Sequence, residues 1–321
     1  MELSHTFTPA SLAWLGGAFG ETSAISPFGA LSADGFDREG MDALVEAGII
    51  RAEGEVTPEW FTALDKLAGA DAYTRIRFRS GALEANRAVY FRGDDPSPLS
   101  LTTTPDGFTL DYPPMNHVFL EEIGDFTGRS NVVNSDLAVD LDYASARALV
   151  AVIDRERRHV LDCLAREERP RAAVHSVEAI AGEIGAEGSS GQRLSTILLG
   201  LRDRPNDPTE QDLSACLDDL VARGLLAGEE GEYRTAGEAQ QLAGHLLVLD
   251  GILHIDGGRI TDGGSVEGME AIFALGGLHD ILMIDPGAGS ITLQTLSGAQ
   301  LHRILREFLA APPRPRESDG A

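Results

Sequence analysis

Three arginines at alternating positions, Arg75, Arg77 and Arg79, stand out in a chain of 321 residues that carries 51 acidic and 26 basic side chains and a formal charge of -25. A guanidinium is a planar fork of donors that fits a carboxylate through two parallel hydrogen bonds, and it does not give up its proton. The chemistry such a row offers is recognition of carboxylates or carbonyls. Arg87 and Arg92 follow nearby in sequence. In so acidic a chain the plainest role for the row is pairing with carboxylates on neighbouring strands. The alternative is a partner-binding site, Arg75, Arg77 and Arg79, that receives a protein with an acidic or carbonyl-rich edge.

Other reactive residue types do not assemble into a known constellation. The eight histidines (His5, His117, His159, His175, His245, His254, His279 and His302) make no His-x-x-x-His pair, and Cys163 and Cys216 make no Cys-x-x-Cys. A metal site therefore has no sequence signal, and each cysteine falls on the apolar side of a helical pattern, as a buried free thiol does. Ser189-Ser190-Gly191, Gly257-Gly258, Gly263-Gly264 and Gly276-Gly277 lack the Lys-Ser or Lys-Thr of a phosphate loop and read as hairpin turns. No Gly-x-Ser-x-Gly elbow occurs. No catalytic, cofactor-binding or metal-binding residues are expected, and the chain reads as a non-enzyme. Its net charge repels nucleic acid and acidic membranes. No apolar run reaches about 18 residues, and the start Met-Glu-Leu-Ser-His-Thr resembles no signal peptide, so a cytoplasmic protein is expected.

The elements that position the row follow from periodicity. Thr8-Pro9 opens a helix carrying Leu12, Leu15 and Phe19, and Asp34 or Asp37 caps the next, which ends at Gly48. Thr57-Pro58 opens a third with Phe61, Leu64 and Leu67. From Tyr73 the period changes to two, and Thr74 to Arg79 reads as a strand with Ile76 and Phe78 inward and the arginines on the other face. Val89-Phe91, Leu99-Leu101 and Phe108-Leu110 complete an antiparallel meander with an Asp106-Gly107 hairpin, and a helix with Val118, Phe119 and Ile123 closes the unit.

The sequence then repeats itself. Cys216 to Leu226 answers Met41 to Ile50, each a short helix ending in Gly followed by two aliphatics, and Ala239-Gly244 answers Leu64-Gly69. Strands at Ile252-Ile255, Ala271-Ala274, Ile281-Ile284 and Ile291-Leu293 and a helix with Leu301, Ile304, Leu305 and Phe308 complete the second pass. The offset drifts from 176 at Gly48 and Gly224 to 183 at Leu110 and Leu293, as duplication with small insertions gives. Between the passes lies the longest helical pattern, Asp142 to Glu168, with Leu149, Val152, Ile153, Val160, Cys163 and Leu164 in one stripe and Asp154 to His159 as a solvated charged face. The expected class is α+β, internally duplicated, two pseudo-twofold units of helices plus an antiparallel sheet and a closing helix. Expected boundaries are 1–135 and 175–311 for the units, 136–174 for a connecting helix and 312–321 for a disordered tail.

The segment Gly-Ile-Ile or Gly-Leu-Leu after a helix resembles the end of a winged helix, which makes a DNA-binding regulator the alternative function. Asp212, Asp218, Asp219, Glu229, Glu230 and Glu232 around the second copy, against Arg223 and Arg234, oppose phosphate contact. The layout as a whole resembles the EspG family of ESX (type VII) secretion-associated chaperones, on Met41 to Ile50 with Thr57 to Ala68, Arg87-Ala88-Val89-Tyr90-Phe91, and Ile291 to Leu309. That resemblance implies a chaperone that binds PE and PPE proteins in the cytosol. The expected partner is another protein, such as a secreted helical substrate, with nucleic acid disfavoured, no membrane, and the chain a monomer or homodimer. The resemblance transfers no functional residue by position.

Overall fold

A computed structural model describes residues 2–31, 38–81, 83–93, 97–185, 192–201, 208–229, 231–276, 280–287 and 289–313. The caps Asp34 and Asp37, the loop Ser189-Ser190-Gly191, His279 and the tail from 314 lie outside them. The fold is α+β. Two compact units form, neither continuous in sequence: residues 1–123, 254–270 and 303–321 in the first, 124–253 and 271–302 in the second. Among the described residues no helix is long and apolar enough to cross a membrane.

In the first unit Thr8 caps α1 (Pro9–Phe19) by accepting from the Ser11 amide, as its Ser/Thr-Pro start predicts. A strand β1 (Leu3–Phe7) precedes it and a short helix α2 (Pro27–Leu31) follows. Helices α3 (Arg38–Glu46) and α4 (Pro58–Ala68) come next. Thr57 precedes Pro58 but does not cap α4; its hydroxyl donates instead to the Ile49 carbonyl at 3.0 Å, tying the helix start to the chain leaving α3. The meander is β2 (Ala72–Ser80), β3 (Leu83–Phe91), β4 (Leu99–Thr104) and β5 (Gly107–Tyr112), with β1 on its edge against β5. One face carries Ala88, Tyr90, Leu99, Leu101 and Leu110 into a core with Leu12, Leu15, Leu44, Leu64 and Leu67. In the closing helix α5 (Asn116–Thr127) Phe119 and Ile123 are buried as expected, while Val118 is exposed and Leu120 is buried in its stead.

The second unit begins with an edge strand β6 (Ala138–Leu141) and α6 (Tyr143–Ala165). Residues 145–154 of α6 are buried without interruption, because β7 (His175–Ser176), α7 (Val177–Ile184), α8 (Leu194–Leu199) and α9 (Glu210–Ala222) belong to the same core as it does. The charged stretch is therefore not a solvated face. Asp154 accepts the Leu194 and Ser195 amides at 3.0 and 2.8 Å, satisfying the bare start of α8, and pairs with Arg157 at 2.6 Å. Arg147, fully buried, donates to the Ser195 and Ile184 carbonyls, each at 2.9 Å.

After α9, a hairpin of β8 (Leu226–Glu229) and β9 (Glu232–Thr235) joins β7 in the order β7-β9-β8. Then come α10 (Gly237–His245), β10 (Gly251–Ile260), β11 (Val266–Leu275), β12 (Ile281–Pro286), β13 (Ile291–Leu296) and α11 (Gly298–Ala310). Strands β10 and β11 run through both units, and α11 contributes Leu301, Leu305 and Leu309 as its fully buried side. The two helix ends picked out by repetition match in detail. Gly48 and Gly224 have φ of 70° and 74°, and the next amide bonds five residues back, Ile49 to Leu44 at 2.9 Å and Leu225 to Leu220 at 3.0 Å.

The cap of α6 supplies a pH test. Burial pushes the Asp142 carboxyl up, but hydrogen bonds from the Ser145 amide and hydroxyl and the Ala144 amide outweigh it and leave it below the ordinary carboxylate value. A depressed folded pKa contributes stability above the unfolded value, and that stability is lost as pH falls through the folded one. Urea denaturation should show Asp142→Ala less stable by about 1 kcal/mol at neutral pH, with the gap closing below about pH 4.

Candidate interaction face

Strand β2 alternates as predicted: Thr74, Ile76 and Phe78 are buried, and Arg75, Arg77 and Arg79 share the other face with side chains 37, 46 and 74 % exposed. The gradient follows from what each guanidinium touches. Arg75 grips Asp256 with both edges, Nε to Oδ1 at 3.0 Å and Nη2 to Oδ2 at 2.8 Å, and this hydrogen bonding raises its pKa further above the ordinary arginine value. Arg77 lies 3.5 Å from Asp256 Oδ1 and is hydrogen-bonded to His254 Nδ1. Among the described residues Arg79 has only Glu84, directly opposite on β3, at 3.8 Å.

Asp256 itself is fully buried, and the Tyr73 hydroxyl donates to it at 3.3 Å. Because arginine has no acceptor, His254 Nδ1 must accept from Arg77, which leaves the proton on Nε2. Nε2 then donates to Glu270 Oε1 at 2.6 Å. The result is a connected line, Tyr73 and Arg75 on Asp256, Arg77 between Asp256 and His254, and His254 on Glu270. Both carboxylates are occupied, so the line is a connected set of donors and acceptors.

The row is thus two tethered arginines and one nearly free. Sequence reasoning placed His254 on this strand without a partner, missed Asp256 because it ended the strand at Ile255, and missed Glu270 because it began the next strand at Ala271. Gly257-Gly258, read as a turn, lies inside β10: a Cβ at Gly257 would sit 3.0 Å from the Tyr73 carbonyl, and one at Gly258 2.9 Å from the Tyr73 ring. These glycines let Tyr73 lie against the strand that carries Asp256. The expected neighbours do not join. Arg87 is buried on the opposite face, donating to Ser100 Oγ at 2.8 Å with its guanidinium 5.7 Å from the Phe119 ring, and Arg92 pairs with Asp65 at 2.5 Å.

Elsewhere, both cysteines are free thiols, and among the described residues no group of three or more His, Cys, Asp or Glu could hold a metal. The wing-like hairpin remains acidic in its contacts. Arg223 is held by Asp219 at 2.7 Å and by the Asp140 carbonyl, and Tyr233 donates to Asp218 at 2.9 Å.

No protein-family model and no curated protein matches the chain. Among solved structures it is similar to the Mycobacterium tuberculosis type VII secretion system chaperone EspG5, determined in complex with the PE25-PPE41 dimer. The match covers 100 % of each chain with a TM-score of 0.52 at 11 % identity. The likeness is one of fold, and it agrees with the layout read from the sequence.

Tethering changes how the row can be tested. Replacing Arg75 or Arg77 by Glu would set a second carboxylate against buried Asp256, so a triple Glu variant would lose stability as well as charge. Asp256→Asn should destabilise by about 3 kcal/mol, because two guanidiniums lose their common carboxylate, whereas Arg79→Ala should stay within about 0.5 kcal/mol. Thermal and urea denaturation of the two variants check the contrast.

Proposed function

We propose that the chain is a non-enzymatic, cytoplasmic protein-binding chaperone of the type VII secretion kind, whose client is another protein such as a secreted helical substrate. The observation that carries this reading is the end-to-end fold likeness to EspG5, a secretion chaperone whose structure was determined with a protein dimer bound to it. Two features support it. The one cationic row in an acidic chain is built as fixed donors, and the helix ends at Gly48 and Gly224 match as copies of one duplicated unit would.

On this reading Arg75, Arg77 and Arg79 receive a carbonyl-rich or acidic edge of the client, with Arg79 as the group free to change partners. The field of the remaining acidic surface repels clients whose charge is not aligned with the row. A wing that binds DNA needs clustered cations, which its hairpin lacks.

The test is capture of the tagged full chain from its native host, identification of what comes with it, and reconstitution from pure components. A complex of defined stoichiometry on gel filtration is expected, weakening with salt and weakened about tenfold by Arg79→Glu. Failure to recover a protein client, together with turnover of a small substrate by the pure chain, contradicts the reading.

A further inference from the structure

We propose that the first unit carries a second site, a groove that takes a small amphipathic carboxylate, with its head against Arg75, Tyr90 and Asn86 and its apolar body along Ala88, Leu101 and Phe108. The groove is a cavity of about 670 Å³ on the helix-bearing face of the sheet, walled by Ile25 and Pro27 from the loop after α1. That volume suits a ligand of ordinary metabolite or drug size, and a mostly apolar lining with a few convergent polar groups is the usual composition of such a site.

The polar groups are what make it specific. Pairing across the meander sets Arg75 opposite Ala88 and Ala88 opposite Leu101, and in the next row Asn86 opposite Thr103 and Thr103 opposite Phe108. Floor and head groups are therefore fixed by strand register. Arg75 lines the cavity and spends Nε and Nη2 on Asp256, so among the described residues its Nη1 makes no hydrogen bond. Tyr90 is 92 % buried (8 % exposed) and lines the groove, and among the described residues neither its hydroxyl nor the Asn86 carboxamide makes a hydrogen bond. These groups still reach solvent, and a ligand oxygen that meets them replaces water with charge-assisted and neutral hydrogen bonds.

Burial raises the Tyr90 pKa above the ordinary phenol value, so the group enters as a donor. Arg75 and Arg77 face the single carboxylate of Asp256, and Glu270 is already bonded to His254. The residues that line the groove include Arg75 and no Asp or Glu, which favours a carboxylate head over a neutral one. The site shares Tyr73 and Arg75 with the interaction face, and it stands whether or not a protein docks there.

Isothermal titration of the full chain with 4-phenylbutyrate, and with 4-phenylbutanamide as the neutral control, tests the assignment. One saturable site is expected for the acid, with the amide at least about fivefold weaker, the worth of one charge-assisted bond. Tyr90→Phe, which deletes a single oxygen, should weaken the acid about three- to tenfold. Thr103→Trp fills the groove from an exposed strand position and should abolish binding at an unchanged thermal midpoint; if it unfolds, Tyr90→Phe alone decides. Absence of saturable binding up to about 10 mM, far weaker than a useful site, overturns the proposal. So does equal affinity for acid and amide, wild-type affinity in Tyr90→Phe, or retained binding in folded Thr103→Trp.

Discussion

A carboxylate removed from water must be met by charge or donors, because an unpaired buried ion costs several kcal/mol. Asp256 is such a group, and meeting that demand shapes the first unit around it. It requires Arg75 and Arg77 on the facing strand, in register, and Tyr73 beside them. It also requires that β10 continue as Gly257-Gly258, since any Cβ there would push the Tyr73 backbone or ring away. What looks like a surface ladder is therefore a clamp with one free rung. Side chains already held in place, as Arg75 and Arg77 are, would lose little further freedom on meeting a partner.

The second unit meets the same demand by a different route. Asp154 supplies the acceptors that the first amides of α8 lack, and Arg147 and Arg157 close carbonyls at the ends of neighbouring segments. In both units buried carboxylates are met by backbone amides or by opposite charge, Asp256 by two arginines and Asp154 by two amides and Arg157.

How far the sequence foretold this depends on whether a feature is local. Strict alternation from Thr74 to Arg79 and the Gly-aliphatic helix ends are local, and both appear in the structure as read. The edge strands β1 and β6 were missed because each is short and half-exposed, with a burial pattern too weak to show as a period. The hairpin β8-β9 was read only as a turn between helices. Asp154 and Arg157, spaced three apart, look in sequence like any solvated helix pair. Only the packing of α7 to α10 around α6 turns them inward. The partner of Arg75 was illegible for the same reason: it lies 181 positions away, and periodicity does not say which strand is the neighbour.

Resemblance of layout to secretion chaperones and the end-to-end fold match point the same way while sharing almost no residue identities. The claim then rests on the free rung. Phenylglyoxal labelling of arginines, read by mass spectrometry in the free chain and in the complex with its captured client, addresses it directly. Arg79 should label readily in the free chain, ahead of Arg75 and Arg77, and become protected in the complex. Unchanged labelling of Arg79 in a complex that has formed would place the client elsewhere and contradict the account.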